Sequence, residues 1–210
     1  MDTWGALLAV LITGLGGLLL VVLTGFRELV ATWFRRMLLR MRETSYFGRI
    51  SCMARFLFLF EQIRKLPEVQ RCVIFQGHNC GGMPTIGKDY MIRALEGWSI
   101  KSDKPNPEEA FYYHIKVDAH YTLILQEVMA KGAVDKLTAD MPEDSKLRYH
   151  YEHEELKFSR IYMLGLVDCE LLFLSVGSYE QECFDRKTVV ELQLIVDEMR
   201  ELVVANGVYS

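Results

Sequence analysis

The chain has 210 residues, half of them hydrophobic, and a formal net charge of −4, a balance that gives no reason to expect nucleic acid as a partner. Its five cysteines form no CxxC pair and are odd in number, which argues against a disulfide framework and fits free thiols in a reducing compartment. There is no internal repeat or low-complexity segment, and the roughly 165 residues beyond the N-terminal region suit one domain with a proper core.

Trp4 to Phe26 carries no charged side chain and is bounded by Asp2 and Arg27. As a helix it would be ~34 Å long, enough for a hydrocarbon core of ~30 Å with some tilt. A cleaved signal peptide would want a basic start, a shorter apolar core and a small-residue cleavage site, none of which is clear here. The expectation is an uncleaved single-pass anchor over residues 1–26. Arg27, Arg35, Arg36, Arg40 and Arg42 all follow the span and no Lys or Arg precedes it. The positive-inside rule therefore puts the N-terminus outside and the rest in the cytoplasm, at an inner or cytoplasmic membrane. Gly5, Ala9, Thr13 and Gly17 recur every four residues, a stripe of small side chains along which two such helices can associate. Gly14, Gly16 and Gly25 lie off the stripe, so abundance of small residues is the plainer alternative.

Residues 27–45 form a basic juxtamembrane segment. Its Val30, Trp33, Phe34, Met37, Leu38 and Met41 make an apolar side, suited either to continuing the membrane helix or to lying along the headgroups. From about Tyr46 to Leu66 a second helix is predicted, with Ile50, Met53, Phe56, Leu57, Phe60 and Ile63 on its buried side and Pro67 as its stop. Arg71 to Gln76 reads as a buried strand. It leads into Gly77-His78-Asn79-Cys80-Gly81-Gly82-Met83-Pro84, the most distinctive loop in the chain.

Tyr90 to Trp98 is compatible with a strand or a short helix, and Ser99 to Glu109 reads as a solvent-facing loop. Val117 to Lys131 is a predicted helix burying Tyr121, Ile124, Leu125 and Val128, started by Asp118 and stopped by Gly132. Leu137 to Asp140 and Leu147 to Tyr151 read as short strands around a Pro142-Glu143-Asp144 turn. Firmer strands follow at Phe158 to Val167 and Glu170 to Ser178. Asp185 caps a last helix, Lys187 to Val204, which buries Val189, Val190, Leu192, Ile195, Val196, Met199, Leu202 and Val203.

This order of elements resembles a GAF-like domain of the GAF/PAS group, over about Tyr46 to Ala205. The resemblance is carried most specifically by Phe158-Ser159-Arg160-Ile161-Tyr162-Met163-Leu164, Leu172-Phe173-Leu174-Ser175-Val176 and Phe184-Asp185. It implies an α+β domain over residues 46–210, an antiparallel sheet with helices on one face and a pocket on the other, whose first and last helices pack together and form dimers. A cyclic-nucleotide signature of the Asn-Lys-Phe-Asp-Glu type is absent, as is a cysteine convincingly placed for a bilin. No cofactor and no catalytic residue is therefore expected.

His78, Asn79, Cys80, Gly81 and Gly82 are the candidate ligand site, offering imidazole and amide groups beside glycine amides that allow close approach. A structural turn is the alternative for them. A His78–Cys80 nucleophile pair would lack an orienting third residue. Asp118 and His120, two apart, face different sides of a helix. His150 and His153 would point to opposite faces of a strand, so neither pair suggests a metal. Cys72, Cys169 and Cys183 read as small core residues. The leading expectation is a bilayer-anchored, non-catalytic sensor module, a homodimer or higher homo-oligomer, that binds a small molecule or a protein partner and signals through its helices. The alternative is a structural or scaffolding protein of a bacterial or phage membrane complex, with a filled, ligand-free domain.

Overall fold

The structure, a computed structural model, describes residues 50–78, 83–101, 114–167 and 170–206, apart from the side chains of His78, Ala205 and Asn206. The chain divides into two units, Met1–Ile50 and Ser51–Ser210, and the second carries the sheet. The expected span Trp4–Phe26, its Gly5, Ala9, Thr13 and Gly17 stripe and the basic segment up to Ser45 lie outside the described residues. Among the described residues no helix is long and apolar enough to cross a membrane.

Helix α1 covers residues 50–63. Strands β1 (Arg71–His78), β2 (Tyr90–Ser99) and β3 (Ile115–Val117) follow, then α2 (Ala119–Lys131), β4 (Ala133–Leu137), a 3-10 turn (Thr138–Asp140), α3 (Lys146–Glu154), β5 (Phe158–Val167), β6 (Glu170–Ser178) and α4 (Arg186–Asn206). The six strands form one antiparallel sheet in the order β3-β2-β1-β6-β5-β4. β1 and β6 are therefore central and buried on both faces, which is why they read as nearly unbroken apolar runs.

Side-chain alternation divides the core in two. Cys72 and Ile74 of β1, with Leu172, Leu174 and Val176 of β6, pack with α1 and α4 through Phe56, Phe60, Ile63, Leu192, Val196 and Met199. Val73 and Phe75, with Leu171 and Phe173, pack with α2 and α3 through Tyr121, Leu125, Val128, Leu147 and Tyr151. Phe75 and Phe173 are register partners, and their rings stack 5.2 Å apart. Both faces thus carry helices, a difference from the expected single helical face. On the first face α1 and α4 are joined by Arg55, which donates from Nε to Glu198 at 2.7 Å.

The caps explain the helix limits. Asp118 Oδ1 accepts from the Tyr121 amide at 2.7 Å, and Gly132, at φ 80°, closes α2 with its amide on Val128 O at 2.8 Å. Asp185 likewise accepts from the Thr188 amide at 2.6 Å at the start of α4. Arg200 ties α4 down by donating to Met163 O at 2.6 Å and Gly132 O at 2.7 Å.

Several expectations are corrected. Leu137 ends β4, the residues after it form the 3-10 turn, and 147–151 belong to α3 rather than to a strand. Leu147 and Tyr151, four apart, bury as a helical pair, and Arg148 pairs with Glu152 at 2.6 Å with the same spacing. The amide of Lys146 is capped by Asp118 Oδ2 at 2.5 Å, a carboxylate 28 residues earlier, so the signal for this helix is remote in sequence. Ile50, Leu57 and Val190, expected on buried sides, are 50%, 40% and 51% exposed, because each helix also presents apolar residues away from the sheet. Cys72 is buried as expected, Cys183 is exposed before α4, and Cys169 lies outside the described residues.

Candidate functional site

His78 ends β1 opposite Met91 of β2. Asn79, Cys80, Gly81 and Gly82 lie outside the described residues, and the two flanks of their loop fix where it begins and ends. On one side is Gly77, whose lack of a Cβ is required by packing: a Cβ there would overlap the Tyr90 hydroxyl and sit 2.6 Å from its Cζ. On the other, Pro84 O accepts a 3.1 Å hydrogen bond from Gln126 Nε2 of α2. Pro84 is thereby held beside α2.

At the opposite end of β1 from this loop, between the sheet and α3, lies a polar centre that sequence reasoning missed. Arg71 sits at the start of β1 on the α3 face and is 1% exposed. Its Nε donates to Glu154 Oε2 at 2.5 Å, its Nη2 to Glu154 Oε1 at 3.3 Å, and its Nη1 to Ser175 Oγ of β6 at 3.1 Å. Ser175 Oγ in turn lies 2.9 Å from Ser159 Oγ of β5. Both oxygens of a carboxylate thus meet the flat edge of one guanidinium, the strongest geometry for such a pair. The Tyr151 ring lies 5.9 Å from the guanidinium carbon. Burial opposes the charge of Arg71, but Glu154, Tyr151 and Tyr179 outweigh it and hold the guanidinium above its ordinary value.

Phe75, Tyr121, Leu147, Tyr151 and His150 complete the walls around a void of about 10 Å³. That is the lower limit for one water, about 10–15 Å³, so side chains fill this space. Burial, helped by the charges of Arg71 and Lys146, lowers the His150 pKa to about 4, so its imidazole is neutral at pH 7. Burial also pushes the Tyr121 hydroxyl well above its usual range. On the other face of β1, burial likewise raises the Cys72 thiol, which leaves it a poor nucleophile. A permanently charged guanidinium among neutral aromatic groups is suited to holding an anion, not to moving a proton at pH 7.

The other expected polar groups have structural places. Asp118 caps α2 and α3 together, and His120 Nε2 stands 3.5 Å from Asp144 Oδ1. His150 and His153 lie one helical turn apart on α3, and His153 stacks on Tyr149 at 6.4 Å. No group of three metal-ligating side chains is found among the described residues. The signal for Arg71 was a charged residue opening an otherwise apolar strand; nothing local identified Glu154 as its partner.

No protein-family model matches the chain, and no curated protein does. Solved structures do. The GAF domain of a two-component sensor histidine kinase from Bacillus halodurans matches 74% of this chain and 95% of its own, with 9% identity and a TM-score of 0.52. The GAF domain/HD domain protein from Geobacter sulfurreducens matches 76% and 94%, with 10% identity and a TM-score of 0.51. The phycoerythrobilin-bound GAF domain from a cyanobacterial phytochrome matches 79% and 97%, with 13% identity and a TM-score of 0.50. The described chain has a GAF-domain fold. At such identities the likeness concerns the fold, and the Arg71–Glu154 pair belongs to this GAF fold as read from its own residues.

Proposed function

We propose that this protein is a membrane-anchored, non-catalytic sensor module, whose GAF fold binds a small molecule or a protein partner and passes its state through paired helices. The observation that carries the reading is the pairing of α1 with α4 on one face of the sheet while both helices keep large apolar residues exposed. Leu57 and Phe58 of α1 are 40% and 50% exposed, and Leu194 of α4 is 68% exposed. A second copy covering them would link two domains through α1, which follows the N-terminal segment in sequence, and α4. The anchor over Trp4–Phe26, its small-residue stripe, and an orientation with the N-terminus outside are part of this proposal on the strength of the sequence. The polar loop His78–Gly82, which follows β1 in sequence, is its proposed ligand contact.

A scaffold is the second reading, and one observation favours it: side chains fill the described space between the sheet and α3, where a void of about 10 Å³ remains. Native mass spectrometry of the full chain, released from detergent micelles and compared with His78→Ala, separates the two. A copurified small molecule lost in His78→Ala supports the sensor. A ligand-free oligomer supports the scaffold, and a ligand-free monomer sinks both readings.

A further inference from the structure

We propose that Arg71 anchors a carboxylate site between the sheet and α3, that Glu154 fills it as a tethered stand-in for a ligand, and that a small organic acid displacing Glu154 frees the end of α3. The inference rests on reading the domain as a small-molecule receptor, and it adds a second site, at the end of β1 opposite to the His78–Gly82 loop, with its own ligand class and moving part. The site is already built for a carboxylate. Arg71 and Ser175 come from the two central strands, and the guanidinium edge meets both oxygens of one acid group. Phe75, Tyr121 and Tyr151 stand beside it, and the body of an incoming acid takes the volume that the Glu154 side chain vacates.

Glu154 is the part that can give way. It is the last residue of α3, so its negative charge sits at the negative end of the helix dipole, where an anion is disfavoured. Arg71 offsets that placement. The next residue, Glu155, holds φ 60°, a left-handed conformation strained for a side chain with a Cβ. Glu155 is held there by its amide on Tyr151 O and Glu152 O and by Lys101, 2.6 Å from its carboxylate. A free acid makes the same pair with Arg71 without either cost. Because the start of α3 hangs on Asp118, which also caps α2, loosening α3 is felt at α2.

The test exploits a match of atoms: Glu154→Ala removes from the side chain what acetate would restore. In the full chain in detergent micelles, acetate replacing chloride at constant ionic strength should raise the melting temperature of Glu154→Ala saturably, at least fivefold more than that of the wild type. The double variant Arg71→Met/Glu154→Ala should not respond. Should Glu154→Ala fail to fold, Glu154→Thr, which keeps a methyl at the Cγ position and lacks the carboxylate, takes its place with formate as the acid. In the wild type, propionate or benzoate should speed amide exchange across α3 at least threefold and leave β1 and β6 unchanged. Equal responses to the acid and chloride in the Glu154 variant overturn the site. Unchanged α3 exchange in the wild type overturns the displacement, and the proposal with it. A copurified ligand unaffected by Arg71→Met would leave the receptor reading standing and remove this inference alone.

Discussion

Arg71 and Glu154 show how much a single position depends on its partner. Desolvating both ions is costly, and their attraction with Ser175 roughly offsets that cost. Removing one partner strands the other, so Arg71→Met and Glu154→Leu should each lose about 3–5 kcal/mol of unfolding free energy. The double variant should lie within about 1–2 kcal/mol of the wild type, since an apolar pair of similar volume fills the same space. Urea unfolding of the four proteins closes the cycle, and additive losses would refute the coupling. His150 adds a pH dependence. Its folded pKa of about 4 lies below the ordinary 6.5, so the unfolded chain takes up the proton first. The stability this represents is complete above about pH 6.5 and is lost as pH falls toward 4. His150→Gln should flatten that decline, and melting curves from pH 7 to 4.5 that run parallel to the wild type would contradict the assignment. Neither role was legible in the sequence: Arg71 reads as a strand-opening charge and His150 as one of two histidines on opposite faces of a strand, because their surroundings come from residues far away in the chain.

Among the elements, those with local signals were readable and those with remote ones were not. Helix α2 carries its own start and stop, Asp118 and Gly132, and β5 and β6 declare themselves by apolar density. Helix α3 has Ser145 at its N-cap position without a side-chain cap bond, and takes its carboxylate from Asp118 instead. Its polar sequence, Lys-Leu-Arg-Tyr-His-Tyr-Glu-His-Glu, leaves only the spacing of Leu147 and Tyr151 to indicate a helix. Asp118→Ala removes two caps at once and should cost about 2–3 kcal/mol, at roughly 1 kcal/mol or somewhat more for each cap. Asp118→Asn keeps an oxygen for Tyr121 but turns a donor toward the Lys146 amide, so it should protect α2 and still loosen α3. Hydrogen exchange resolved by helix checks this; equal protection of α3 in Asp118→Asn and in the wild type would refute the shared cap.

For the whole molecule, the exposed apolar residues of α1 and α4 predict self-association. Phe58→Glu with Leu194→Glu should shift the full chain in micelles to a smaller species in light scattering. Its unfolding free energy per domain should change by no more than about 0.5 kcal/mol for each surface site. An unchanged mass would exclude this face as the contact. The sequence pattern could mark which residues of each helix are apolar. It could not show that Ile50, Leu57 and Val190 point away from the sheet, because that requires knowing where the helices lie. The strand order carries a different consequence. β1 and β6 are the first and last described strands, yet they are neighbours at the middle of the sheet. During synthesis β1 therefore waits beside an open edge until almost all of the domain has been translated. The halves β3-β2-β1 and β6-β5-β4 can each form by local hairpin pairing or short crossovers, but the sheet closes only along the β1–β6 seam. A ribosome stalled before Glu170 would hold a half-sheet with a bare central edge, the kind of species that chaperones retain and that aggregates when released.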